Sequence, residues 1–395
     1  MKILLINHFP LEGSGSGIYT KNIALSLVKK GHEVCIIMPE NRKINNLENI
    51  KLHPVYFKNK EEIDNQLPFN FPCFTTHPYS NNTFYDLTDT ELEQYKQAFA
   101  KVIKEEVELF NPDIIHSNHL WILSNLATNF NIPLVVTMHG TDLIGCNKTN
   151  KFDKEILNLI SKTQKIITVS KNNYELLNKQ FDDIVKKTVL IPNGFNNSIF
   201  YKYNYDKRKV FEKLNINKNY RHVVTYVGKL VEVKGVDILL KAASIYQSEN
   251  ILTLIVGEGI LLEKLKEMAK QLKIKNVVFL GNKSQDMLRE IYNISNVVVV
   301  PSRSEAFGLV VIESLACGTP VIGSNVGGIP DIINKKLGIL FESEDYITLS
   351  KNIQDVIDNN IIFDSNYISK YVLDNYSQDK YIDKVIDIYK KIKKK

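Results

Sequence analysis

Cysteine, long apolar runs and concentrated charge are all scarce in this sequence. Its four cysteines, Cys35, Cys73, Cys146 and Cys317, are scattered through 395 residues without CxxC spacing. That argues against a disulfide framework or a zinc site and fits reduced, buried thiols in a cytosolic protein. No apolar run reaches the roughly 18 to 20 residues that a membrane span requires. The chain opens with "MKILLIN", without a basic leader or a small-residue cleavage site, so no signal peptide is expected. The formal net charge is only +6, and no helix or loop carries a dense Lys/Arg stripe with interleaved aromatics, which excludes an extended nucleic-acid surface. Part of the basic excess is terminal: "YKKIKKK" puts five lysines in the last six positions. That run reads as a solvated tail, with weak peripheral contact to an anionic membrane as the alternative.

What is present is an ordinary globular composition, 44% hydrophobic and 24% charged, in a chain too long for one core. Short β-branched runs alternate with amphipathic stretches, the pattern of parallel strands joined by helical crossovers. Strands are expected at 2–7, 33–39, 51–57, 113–118, 133–139, 165–170 and 188–193, with helices near 17–30, 88–109 and 171–180. From 194 to 218 the pattern lapses into a polar, turn-rich segment, "GFNNSIFYKYNYDKRK". It resumes with strands at 223–228, 252–257, 277–281, 297–302 and 320–325, and helices near 236–247, 260–272, 284–294 and 307–316. The expected fold class is therefore α/β, with two doubly wound sheets. One domain spans 1–194 and the other 195–377, and an amphipathic helix spans 378–395. The connection at 60–86 is long and aromatic, "LPFNFPCFTTHPYSNNTFY" within it, and so either packs as a satellite cluster or serves a functional role.

In open parallel sheets, ligands bind beyond the carboxyl ends of the strands. In the second half those positions hold "GKLVEVKG" with Lys229 and Lys234, "GEG" with Gly257 and Gly259, "GNKS" with Asn282, and "SRSEAFG" leading into a helix. Two lysines on one loop supply positive charge for a diphosphate. The amides of Phe307, Gly308 and Leu309 open a helix whose dipole favours an anion. Glu305 and Glu313 would repel phosphate, so they need neutral hydrogen-bond donors, and sugar hydroxyls are such donors. A nucleoside diphosphate sugar satisfies both sets. Each residue alone has a plainer explanation, as a solvated lysine or a loop-end charge. Glu313 is the hardest to explain away, because "LVVIESLA" surrounds it with apolar neighbours.

In the first half, "HFPLEGSGSGIYTKNIALSLVKKGHEV" is strand, glycine loop and helix, with Glu40 ending the next strand. A dinucleotide site is one reading. The GxGxG spacing, and the intervening "HFPLE" where a tight turn is needed, count against it. "TMHGTD" places His139 at a strand's carboxyl end, and His116 and His119 hold a similar position with a weaker claim.

Together, "GKLVEVKG", "GEG", "EAFGLVVIESLACGTPVIGSNVGGIPDII", the "GSGSG" loop and "HG" resemble the retaining glycosyltransferases of family 4, over nearly the whole chain. The resemblance implies the GT-B fold, two Rossmann-like domains facing across a cleft. The first domain would be the acceptor side with helix 378–395 packed back on it, and the second would bind the nucleotide sugar. It also implies that Glu305 contacts the transferred sugar, Glu313 the ribose, and Lys229 and Lys234 the diphosphate. Lys229 stands where the family more often has Arg, which keeps the charge but loses bidentate recognition. His139 and the loop glycines Gly15 and Gly17 take the family's remaining site positions. No cofactor or metal is expected, and no convincing DxD-type site is present. "HGTD" and "GSGSG" further resemble the glucosaminyl-malate synthases, whereas the aromatic loop suits a sugar, aminocyclitol or lipid-linked acceptor better than a small acid. The implied activity is transfer of a hexose or N-acetylhexosamine, by domain closure and front-face displacement, from a donor such as a UDP-sugar. A catalytically silent nucleotide-sugar-binding subunit is the alternative.

Overall fold

The computed structural model describes residues 1–59, 62–74, 77–148, 150–181 and 184–393, with side chains at 144, 146–148 and 150 excepted. Cys146 therefore lies outside what is described, as do Lys394 and Lys395 of the tail and four positions of the 60–86 connection. The chain forms two compact units, Met1–Asn193 with Tyr381–Lys395, and Gly194–Lys380.

The first unit is built on a seven-stranded sheet: β1 (Lys2–Ile6), β2 (Glu33–Glu40), β3 (Ile50–Tyr56), β4 (Ile114–Asn118), β5 (Leu134–Met138), β6 (Lys165–Thr168) and β7 (Thr188–Leu190). Its order is β3-β2-β1-β4-β5-β6-β7, every pairing parallel. Alternate residues of β1 serve opposite faces, as the two-residue period of a strand requires. Leu4 and Ile6 join one apolar cluster, and Ile3 and Leu5 another. Both faces are covered, which is why these strands read as unbroken apolar runs.

On the second face, Ile3 and Leu5 pack with Tyr19, Ile23 and Leu27 of the helix Gly15–Lys29 and with Tyr381, Ile382, Val385, Ile386 and Tyr389 of the helix Gln378–Lys393. On the first face the aromatic connection is core. Phe69, Phe71, Phe74 and Phe84 are buried with Phe57, Tyr95 and Phe99. These rings are spent on packing, so they offer no platform for stacking a sugar.

The second unit has six parallel strands: β8 (His222–Val227), β9 (Ile251–Val256), β10 (Val277–Gly281), β11 (Val297–Val300), β12 (Val321–Ser324) and β13 (Gly338–Phe341), ordered β10-β9-β8-β11-β12-β13. In both sheets the order reverses once, at β1/β4 and at β8/β11. These switch points open the crevices where doubly wound sheets bind ligands.

Among the described residues no helix is long and apolar enough to cross a membrane. Cys35, Cys73 and Cys317 are buried, and among the described residues none of the three is in a disulfide.

Candidate active site

At the β8/β11 switch point, Lys234 and Glu305 meet. Lys234 ends a single 3-10 turn, Glu232–Lys234, and its Nζ donates to Glu305 Oε2 at 2.6 Å. Ser302 Oγ reaches the same oxygen at 3.4 Å. Both side chains remain partly exposed, 27% and 16%, so a ligand can compete for them.

Arg303, which the sequence motif passes over, holds this corner together. Its Nη1 and Nη2 donate to the two oxygens of Asp237 at 2.9 and 2.8 Å, and its Nε and Nη2 pair with Glu344. Its Nη1 also donates to the Glu232 carbonyl at 2.7 Å, and its amide to that of Val233 at 2.8 Å. The loop carrying Lys234 is thus tied on both sides to the segment carrying Glu305. A signal was available: an arginine two residues before the glutamate, in a loop otherwise short of cations.

The loop 301–308 is pressed against Gly327 and Gly328. The Gly328 amide donates to the Glu305 carbonyl at 3.0 Å. A Cβ at Gly327 would lie 1.8 Å from that same oxygen. Gly308, with φ of 101°, then starts the helix Leu309–Ala316 without a side-chain cap, so the helix begins two residues later than 307. Phe307 is buried and packs toward Tyr376.

Glu313 sits on this helix and does have a protein partner. Tyr292, on the neighbouring helix Gln285–Ile294, donates its hydroxyl to Glu313 Oε2 at 3.2 Å. One bond does not satisfy a carboxylate, and burial pushes its pKa up to about 8. The group is therefore largely protonated at neutral pH.

Lys229 is exposed, with its carbonyl accepting from Tyr226 Oη at 2.9 Å. Gly257 and Gly259 have an internal reason to be glycine. A Cβ on either would strike the loop after β8, 1.9 Å from the Gly228 oxygen and 2.3 Å from that of Leu230. Asn282 is exposed and donates to Glu258 at 3.0 Å.

In the first unit, the switch point brings the helix after the glycine loop beside the ends of β4 and β5, where Thr20 accepts from Asn118 and Tyr19 meets Thr137. Ser14 caps the helix Gly15–Lys29 by accepting from the Gly17 amide at 3.0 Å. Gly15 is exposed with open space on its Cβ side. Gly17 is buried, and a Cβ there would lie 2.1 Å from the Pro10 oxygen.

His139 follows β5 and is half-buried. Its Nε2 lies 2.8 Å from Asn118 Oδ1. Asn118 Nδ2 is already donating, to the Ile6 carbonyl and to Thr20, so the amide is oriented and Oδ1 must accept. Nε2 then carries the proton, and Nδ1 is the acceptor edge of a neutral ring. Burial, followed by the neighbouring His116 and His8, holds its pKa down to about 3.

His116 and His119 do not reach solvent; both are 1% exposed. His119 takes a left-handed backbone, φ 68°, and its Nδ1 lies 3.8 Å from buried Asp142. Asp142, accepting from the amides of Gly140 and Leu120, closes the turn after His139.

The sequence profile described as "Glycosyltransferase Family 4" matches residues 13–198, and that described as "Glycosyl transferases group 1" matches 206–371. An uncharacterized glycosyltransferase of Methanocaldococcus jannaschii is 27% identical over 99% of this chain and 98% of its own. The N-acetyl-alpha-D-glucosaminyl L-malate synthase of Bacillus anthracis is 27% identical over 83% and 80%. The structure of Anabaena HepE in complex with UDP and glucose superposes with a TM-score of 0.76 at 17% identity, covering 98% of this chain and 99% of that one, a likeness of fold. With the two profiles accounting for most of its length, the chain belongs to the family 4 glycosyltransferases and has the GT-B fold.

Proposed function

We propose that this glycosyltransferase is a retaining, metal-independent enzyme. It moves a hexose or N-acetylhexosamine from a nucleoside diphosphate sugar, a UDP-sugar by preference, to a hydroxyl acceptor such as a sugar, aminocyclitol or glycolipid. The observation that carries the reading is the Lys234–Glu305 pair at the β8/β11 switch point, beside an uncapped helix start. A cation for a diphosphate and a carboxylate for sugar hydroxyls stand within one hydrogen bond of each other.

The chemistry follows from the charges. As the bond from the anomeric carbon to the diphosphate oxygen breaks, negative charge collects on that oxygen. Lys229, Lys234 and the amides of Phe307, Gly308 and Leu309 meet it, Lys234 held in place by Glu305 and the amides by the helix start. The acceptor hydroxyl bonds to the same face of the carbon and its proton passes to a leaving-group oxygen, so configuration is retained. Glu305 accepts from hydroxyls of the transferred sugar and Glu313 from those of the ribose. His139 offers Nδ1 to a sugar hydroxyl. The matched N-acetyl-alpha-D-glucosaminyl L-malate synthase supports an N-acetylhexosamine as one candidate for the group transferred.

Lys234→Ala tests the diphosphate assignment. Turnover should fall by a factor on the order of a hundred or more, while thermal stability changes little, since a partly exposed pair contributes about 1 kcal/mol at most. Full turnover in that variant would remove the assignment.

A further inference from the structure

Tyr19 lies on the helix Gly15–Lys29 with its ring edge-on to the His139 imidazole, centroids 4.7 Å apart and planes at 81°. Its hydroxyl is 2.9 Å from Thr137 Oγ1 and also hydrogen-bonded to the Tyr381 hydroxyl. Thr137 Oγ1 lies 2.7 Å from His116 Nε2, and His116 Nδ1 meets the Tyr389 hydroxyl. All five side chains are buried, none more than 6% exposed.

Four bonds join these five groups, and each needs one proton. The four hydroxyls and a neutral His116 supply five, so the chain is satisfied in either direction with one proton left at a terminal tyrosine. Both terminal tyrosines stand on the helix Gln378–Lys393. Thr137 precedes His139 by two residues on β5, and His116 precedes Asn118 by two on β4, where Thr137 and Asn118 are register partners. His139 is thus held at one edge by Asn118 and against one face by Tyr19, and every further link of the chain runs to the C-terminal helix.

We propose that Tyr19 is a positioning residue for His139, and that Tyr381 and Tyr389 of the C-terminal helix anchor the Tyr19 ring through this chain. Ordinary core packing needs only the rings; the hydroxyl chain also fixes where the Tyr19 hydroxyl sits, between Thr137 and Tyr381. The proposal rests on the assignment of His139 to the sugar, and two measurements separate the two.

The first is a double-mutant cycle on the full chain. Tyr19→Leu should lower kcat about tenfold with the donor KM within about twofold, and Tyr19→Phe and Tyr381→Phe should lower it by smaller factors. In a His139→Ala background none of them should lower kcat further. Equal losses in both backgrounds would overturn the proposal. The second needs no activity: nitrogen-15 spectra of the imidazoles in histidine-labelled chain. Tyr19→Leu and Tyr381→Phe should shift the His139 ring signals and speed exchange of its Nε2 proton. If His139→Ala leaves kcat unaltered, the catalytic assignment of His139 fails and the spectra alone decide positioning. A His139 spectrum that neither variant alters would end it.

Discussion

Glu313 imposes a pH dependence on donor binding whose size can be worked out. Its carboxyl group ionises only near pH 8, because burial opposes the charge and the single bond from Tyr292 offsets that only in part. If ribose hydroxyls donate to it, the bound form is the carboxylate, and binding must drive out a proton. At pH 7, one unit below its pKa, that costs about 1.4 kcal/mol, a factor of ten in affinity; at pH 6 the cost doubles to about 2.7 kcal/mol. The dissociation constant for the nucleotide sugar should therefore fall about tenfold per unit between pH 6 and 8 and then level off. Glu313→Gln should bind with no such slope. Calorimetric titration in two buffers of different protonation enthalpy measures both the affinity and the proton released. A flat wild-type affinity from pH 6 to 8, with no proton release, would refute the reasoning. Stability carries the same signature with the opposite sense. The folded pKa lies above the ordinary value of 4.5, so between the two the unfolded chain holds fewer protons. Stability then falls as the pH rises through that window, and Glu313→Gln should flatten the fall.

Two further outcomes follow from the packing. Gly327→Ala would force a Cβ to 1.8 Å from the Glu305 carbonyl at a φ of 56°, so thermal melts should show a loss of about 2 to 3 kcal/mol. Because the displaced backbone is that of Glu305, turnover should fall with it. Glu106→Gln removes a carboxylate only 1% exposed that pairs with Lys51 and His53, each at 2.7 Å. The cost should be about 2 kcal/mol, below that of a fully buried pair because Lys51 is half-exposed. Burial works to raise the Glu106 pKa, but the bonds from Lys51 and His53 win and hold it below the usual range. Its stabilisation is therefore present at neutral pH and lost as the pH falls through the folded value, and acid titration of the variant should lack that limb.

Strands were the most legible part of the sequence, because a sheet covered on both faces turns each strand into a bounded apolar run. Val277–Gly281 falls where the run "VVFLG" places it, and most other expected strands agree to within a residue or two. Helices were legible when long and one-faced, as in Asp89–Phe110, where Thr88 and Glu91 form a capping box. Those that went unread are short, such as Ile122–Ala127 and Lys207–Lys213, or follow late strands, such as Tyr346–Ile357 after β13. At the candidate site, the motif positions could be read along the chain but their partners could not. Tyr292 answers Glu313 across two helices, and Arg303 binds residues 66 and 41 positions away. The aromatic connection showed why composition misleads: the same rings suit a sugar platform or a core, and only burial distinguishes them. Nothing local to His116 signals that its partner is Tyr389, 273 residues on.

The most direct measurement of the central claim is release of nucleoside diphosphate by the purified chain from a panel of nucleotide sugars, with and without a crude acceptor extract. The account predicts slow hydrolysis of one uridine-linked donor, faster turnover when acceptor is present, and loss of both in Lys234→Ala. Tight binding of a donor with no release under any condition would contradict it and leave a silent nucleotide-sugar-binding subunit.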